Sequence, residues 1–338
     1  MNILVTGGCG FLGSNIANEL LKSGNNLMII DNLQRLGSKI NLKWLNENHD
    51  FAFYQKDIVD VEKISNEIID FSPDTILHLA GQVAMTTSLE DPYRDFQVNT
   101  LSTFKILELI RTKLPNTKII YSSTNKVYGD LEHLRYLEND TRYKIENFEN
   151  GIPEDIRLEM SSPYGCSKGA ADQYILDYSK NFNVKSIVFR HSSIFGKRQF
   201  STFDQGWIGW FVKLAIDAKI NKQKLVYNIS GNGKQVRDVL FSDDLVDLYI
   251  KAIESDISGE VFNIGGGVEN SLSLIELFNK TSKKLDIPYS MNIGPWRSSD
   301  QKVFVSDISK VKQQLNWNPK ISTDKGLDEM FEWVNTIN

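Results

Sequence analysis

The chain has 338 residues, 41% hydrophobic and 24% charged, with 22 glycines and only 8 prolines. That length accommodates a large α/β domain and a second lobe. A net charge of −5 with scattered lysines argues against nucleic acid or an anionic membrane as partner, and no run approaches the ~20 apolar residues of a bilayer span.

Cys9 and Cys166 are the two cysteines and share no paired spacing, so neither a disulfide framework nor a metal site is expected. MNILVTGG enters a strand directly with no leader pattern, and the expected location is the cytoplasm.

Short β-branched runs alternate with helix-length segments through the first half. Strands are expected at Ile3–Thr6, Leu27–Asp31, Phe51–Gln55, Thr75–Ala80, Lys118–Ser123 and Lys185–Arg190. Helices are expected at Gly13–Ser23, near Asn99–Thr112 and at Pro163–Phe182. Such alternation predicts right-handed βαβ units, hence a Rossmann doubly wound parallel sheet. Residues 192–234 turn aromatic and glycine-rich, and Val236–Ile264 regains strand–helix–strand character, as if returning to the sheet. The expected division is a dinucleotide-binding domain of residues 1–190 and 236–264, with a smaller C-terminal substrate-binding lobe of 191–235 and 265–338.

Thr6-Gly7-Gly8-Cys9-Gly10-Phe11-Leu12-Gly13 follows the first strand and opens a helix. Gly7 permits the tight turn, Gly10 lets a pyrophosphate approach the backbone, and Gly13 lets the helix sit close to the sheet. The helix N-terminus offers free N–H groups and partial positive charge. Asp31 ends the second strand, placed to hold ribose hydroxyls and repel a 2′-phosphate, which favours NAD over NADP; Arg35 partly offsets that repulsion.

Tyr164 and Lys168 are four apart on one helix face, after Ser162-Pro163, a natural helix start. The helix dipole and the Lys168 charge are expected to lower the Tyr164 pKa towards neutrality, making a usable general base. Thr124 ends a strand at the carboxyl edge of the sheet, where it can orient a substrate hydroxyl.

Together TGGCGFLG, HLAGQ (78–82), Asn99, SSTNKVYGD (122–130), SPYGCSK (162–168), FRHSSIFGKRQ (189–199), GNGKQVRDVL (231–240) and FNIGG (262–266) resemble the extended short-chain dehydrogenase/reductase family, in its nucleotide-sugar epimerase and dehydratase group. The resemblance implies Tyr164 as base, Lys168 as ribose ligand and Thr124 as assistant. It further implies cofactor contacts from Gly7, Gly10, Phe11, Leu12, Asp31, Asn32, Asp57, Ile58, Leu79, Ala80, Gly81, Asn99 and Ser122. Arg237 matches the family's diphosphate-binding arginine, and a guanidinium suits phosphate oxygens. Arg297 and Arg198 are expected as second phosphate or ribose contacts.

The family's dehydratases carry an Asp-Glu pair after the Ser/Thr, because elimination needs an acid and a base. Here Asn125-Lys126 stands in its place, which argues against dehydration. Ser193 replaces the usual asparagine of a 4-epimerase and is expected among the substrate contacts. The motif combination resembles most those members that invert C2 of a CDP-linked 3,6-dideoxyhexose, implying a CDP-sugar substrate. Gln82, Lys126 and His191 are the expected sugar or ketone contacts, with Lys126 near the developing oxyanion. Met85, Trp207 and Trp210 are expected to pack. A 4-epimerase or reductase of another nucleotide sugar is the enzymatic alternative, and a non-catalytic NAD sensor the other. A homo-oligomer, dimer or tetramer, is implied by relatives.

Overall fold

The computed structural model describes residues 1–297 and 299–337. Seven parallel strands form the central sheet, in the order Glu260–Ile264, Ser186–His191, Lys118–Thr124, Thr75–His78, Asn2–Thr6, Asn26–Asp31, Ala52–Gln55. Their side chains alternate between two buried layers. Ile3, Val5, Ile29, Leu77 and Phe189 meet Ile16, Ala17, Leu248 and Tyr249 from helices Phe11–Lys22 and Ser242–Glu254. Leu4, Ile30, Ile76, Tyr121 and Val188 meet Ile106, Ile110, Ala171 and Ile175 from Ser102–Lys113 and Pro163–Phe182. A sheet buried on both faces needs such continuous apolar runs, which is why the strands were legible.

Strand order reverses between Asn2–Thr6 and Thr75–His78, and ligands bind at the carboxyl edge of such a crossing. The Gly7 turn and Leu79–Gly81 lie at this point.

Apart from the central sheet, the chain holds a small sheet of Ser193–Phe195, Val236–Phe241, Ser271–Ser273 and Val303–Phe304. It also holds the parallel pair Leu225–Ser230 and Tyr289–Gly294 and helices Trp207–Ile220, Leu274–Leu285 and Thr323–Ile337. Trp207 and Trp210 pack against its core, as expected.

Strand Val236–Phe241 does not rejoin the central sheet as its sequence suggested. Its alternating residues serve two cores: Leu240 enters the central one, Val239 and Phe241 the second. The return is made by Glu260–Ile264. Residues 308–317 also come back, burying Ile308, Val311 and Trp317 in the central core. Among the described residues no helix is long and apolar enough to cross a membrane.

Candidate active site

Gly7 turns with φ +72, and a Cβ there would lie 2.7 Å from the Ala80 amide nitrogen. A Cβ on Gly13 would collide with the Gly7 carbonyl, so the turn and helix interlock only as glycines. Gly10 caps helix Phe11–Lys22, and among the described residues no side chain does so. The first-turn N–H groups, those of Phe11 and Leu12 included, are therefore open to phosphate.

Asp31 is buried and accepts from Cys9 N (3.0 Å) and Leu33 N (2.8 Å). Burial raises its pKa while those backbone bonds and one from Gly10 lower it. Asn32 donates to Asp57 at 2.9 Å. Burial pulls the Asp57 pKa up, but bonds from Asn32, Val59 N and Arg94 outweigh it and leave the carboxyl below its ordinary value. Ile58 is buried in the second layer. These groups and the glycine turn fit the phosphates, ribose and adenine of NAD.

Asn99 lies in a π-helical turn, Gln97–Leu101, a local widening frequent at functional sites. It accepts from Gln82 N (2.9 Å) and donates to Gln82 O and Ser167 Oγ. The loop Leu79–Gln82 is thereby pinned to helix Pro163–Phe182. A Cβ on Gly81 would lie 3.1 Å from Asn99 Oδ1 and 3.6 Å from Lys168 Nζ, so the backbone there is the floor above the lysine.

Ser162 caps that helix by accepting from Gly165 N at 3.1 Å, with Pro163 in its first turn. Tyr164, Lys168 and Thr124 are all buried. Lys168 Nζ donates to the Ser122 carbonyl and sits 4.2 Å from the centre of the Tyr121 ring. Burial lowers its pKa to about 7, against the opposing charges of Asp95 and Asp172.

Tyr164 departs from expectation. Burial pushes it up to about 12; the Thr124 hydrogen bond and the Arg35 charge lower it, and Asp95 raises it. Lys168 is turned to Ser122 and Tyr121, which is why the proximity in sequence does not become a depressed phenol pKa in the protein alone.

A cationic cluster lies beside this triad, the Lys126 carbonyl being 2.9 Å from where a Gly165 Cβ would stand. Arg237 donates to Asp300 Oδ1 (2.6 Å) and to Val236 O. Lys126 Nζ lies 3.6 Å from Asp300 and donates to Ser299 O at 3.2 Å. Arg297 stacks 4.9 Å over Phe203 and acts electrostatically on both Lys126 and Asp300. Burial lowers Lys126 to about 8; Asp300 raises it, and Arg237 and Arg297 lower it further. Three cations around one carboxylate leave excess positive charge, which suits a diphosphate.

The GDP-mannose 4,6 dehydratase family model matches residues 4–330. The chain belongs to that family. Over 341 residues it is 49% identical to the CDP-paratose 2-epimerase of Salmonella typhi, covering 100% of both chains. It is 26% identical to the dTDP-glucose 4,6-dehydratase of Salmonella typhimurium, over 98% of this chain and 92% of that one. Among solved structures it resembles the UDP-glucose 4-epimerase of Thermotoga maritima, with TM-score 0.84 and 28% identity over 100% and 99% of the chains. It also resembles the UDP-glucuronic acid 4-epimerase of Bacillus cereus with UDP-glucuronic acid and NAD, with TM-score 0.83 and 26% identity over 100% of both.

Three residues expected at the ligands have partners within the protein. His191 lies 3.2 Å from Ser122 Oγ through Nδ1 and 3.3 Å from Tyr249 OH through Nε2, so both ring nitrogens are engaged inside the protein. Gln82 closes its side-chain amide onto Ala84 N and O. Arg198 is stacked 3.8 Å from Trp44 and 5.3 Å from Trp333. Ser193 accepts from Trp207 Nε1 at 3.2 Å. Sequence reasoning missed Asp95, Asp300 and Gln301. Their only signals were single polar residues in segments without periodicity.

Proposed function

We propose that the chain is an NAD-dependent epimerase that inverts C2 of a CDP-linked 3,6-dideoxyhexose, converting CDP-paratose to CDP-tyvelose through a 2-keto sugar. One juxtaposition carries the reading: Thr124 lies close enough to Tyr164 to lower its phenol pKa, and the two residues after Thr124 are an amide and an amine. That set can move a hydroxyl proton but lacks the carboxyl pair of elimination. The choice of sugar and nucleotide follows the full-length likeness to a CDP-paratose 2-epimerase.

NAD, when bound, supplies a hydride acceptor that returns the hydride and a positively charged ring that favours the tyrosine phenolate. The turn Gly7–Leu12, Asp31 and Lys168 would hold it. Tyr164 takes the proton from the sugar hydroxyl with Thr124 orienting it, and Lys126 stabilises the oxygen as charge develops. Arg237 and Arg297 fix the diphosphate while the keto-sugar turns to present its other face.

The division into a cofactor domain and a substrate lobe, the cytoplasmic location and a homo-oligomer belong to the same reading. Exposed Phe96, Tyr174 and Phe182 support an oligomer contact along helix Pro163–Phe182. Replacing Tyr164 by Phe tests the mechanism: turnover should be abolished while NAD still co-purifies, and a variant keeping most of its activity would overturn Tyr164 as base.

A further inference from the structure

Residues Lys197–Phe200 leave the small sheet and run across the glycine turn. Two asparagines tie them there, each holding both sides. Asn15 donates to Phe11 O (2.8 Å) and to Lys197 O (3.0 Å). Asn41 donates to Cys9 O (3.2 Å) and to Arg198 O (3.4 Å). Phe11 and Cys9 flank Gly10, so the segment is fastened on either side of the phosphate-binding backbone.

The same segment is pinned from the C-terminal helix Thr323–Ile337. Trp333 Nε1 donates to Gln199 O at 2.9 Å, and its ring meets Phe200 edge-on at 5.4 Å. Lys197 pairs with Glu329 at 2.5 Å. Phe200 also fills the space beside Gly37, where a Cβ would collide with its ring. At the centre Arg198 holds φ +68, uncommon for a residue with a side chain, and inserts its guanidinium between Trp44 and Trp333. Those indoles come from two helices far apart in the chain, Ser38–Asn48 and Thr323–Ile337.

We propose that Lys197–Phe200 is a clasp that sets how long NAD stays bound, and that Arg198 is its positioning residue. The inference rests on the NAD reading above. A dinucleotide on the Gly10 backbone leaves only when the clasp lifts, and lifting separates a stacked cation from two aromatic faces. An epimerase that regenerates NAD each cycle gains from slow release, whereas a dehydrogenase needs exchange.

The test compares the parent protein with Arg198→Gly and Trp333→Phe. Glycine accepts φ +68, so Arg198→Gly removes the guanidinium while keeping the backbone path. Trp333→Phe removes the bond to Gln199 and shrinks the ring that faces Arg198 and Phe200. NAD content after extensive desalting and the NAD release rate on dilution are measured, with thermal unfolding in excess NAD as the check on folding. Arg198→Gly should release NAD about tenfold faster or more, and Trp333→Phe severalfold faster. Both should recover parental turnover within about twofold when millimolar NAD is supplied, since neither touches substrate. An unchanged release rate in Arg198→Gly would overturn the clasp, as would lost activity that NAD does not restore. A parent protein holding no NAD would instead overturn the cofactor reading itself.

Discussion

Asn125 donates its side-chain amide to Gln301 Oε1 at 2.9 Å, joining two residues 176 apart in the chain. Gln301 in turn donates to Gly129 O (2.7 Å) and Asn125 O (3.3 Å), and both side chains are buried. The position beside Thr124 that bears an acid in the dehydratases here anchors the segment carrying Arg297 and Asp300. Asn125→Asp would face Gln301 Oε1 with an acceptor, costing about 1–3 kcal/mol. The expected outcome is a lower unfolding midpoint and a raised substrate KM, with no dehydrated product by NMR when CDP-glucose, which still has its 6-hydroxyl, is offered. A stable variant that makes a 4-keto-6-deoxy sugar would contradict this.

Arg237 holds Asp300 through one guanidinium nitrogen and Val236 O through the other, a planar grip that an ammonium cannot reproduce. Arg237→Lys should raise KM for the nucleotide sugar about tenfold, or ~1.4 kcal/mol, while kcat changes little. Steady-state kinetics separate the two. A fall in kcat alone would place Arg237 at the reacting sugar.

His78 and His191 are fully internal, and burial, then the Lys168 charge, lowers each pKa to about 3. His78 is held by Thr6 Oγ1 (2.8 Å) and Thr103 Oγ1 (2.9 Å). A depressed folded pKa contributes stability above the unfolded value near 6.5 that is lost as pH falls towards 3. Each histidine should steepen that loss by up to about 1.4 kcal/mol per pH unit. Unfolding measured from pH 7 to 4 should show a shallower slope for His191→Gln than for the parent. Parallel slopes would mean that His191 titrates alike in the folded and unfolded protein.

Features fixed by neighbours in sequence were readable in advance. The glycine turn, Asp31 at a strand end, the Ser162-Pro163 cap and the four-residue Tyr164–Lys168 spacing all follow from local backbone rules, and the structure brings them to one sheet edge. What the local sequence does not reveal are distant partners. His191 looks the same in sequence whether it meets a ketone or Tyr249, and Arg198 gives no sign of two tryptophans arriving from residues 44 and 333. The raised Tyr164 pKa is hidden for the same reason, since burial and the Asp95 charge come from elements that spacing does not reveal. Strand Val236–Phe241 has an ordinary apolar alternation, and nothing local says its two faces belong to different cores.

The central claim is hydride removal and return at C2. CDP-paratose carrying deuterium at C2, incubated with the protein and its own NAD, tests it by NMR. The account predicts CDP-tyvelose with deuterium retained at C2 and no net accumulation of NADH. Inversion at another carbon, exchange of the C2 deuterium with water, or a requirement for stoichiometric added NADH would contradict it.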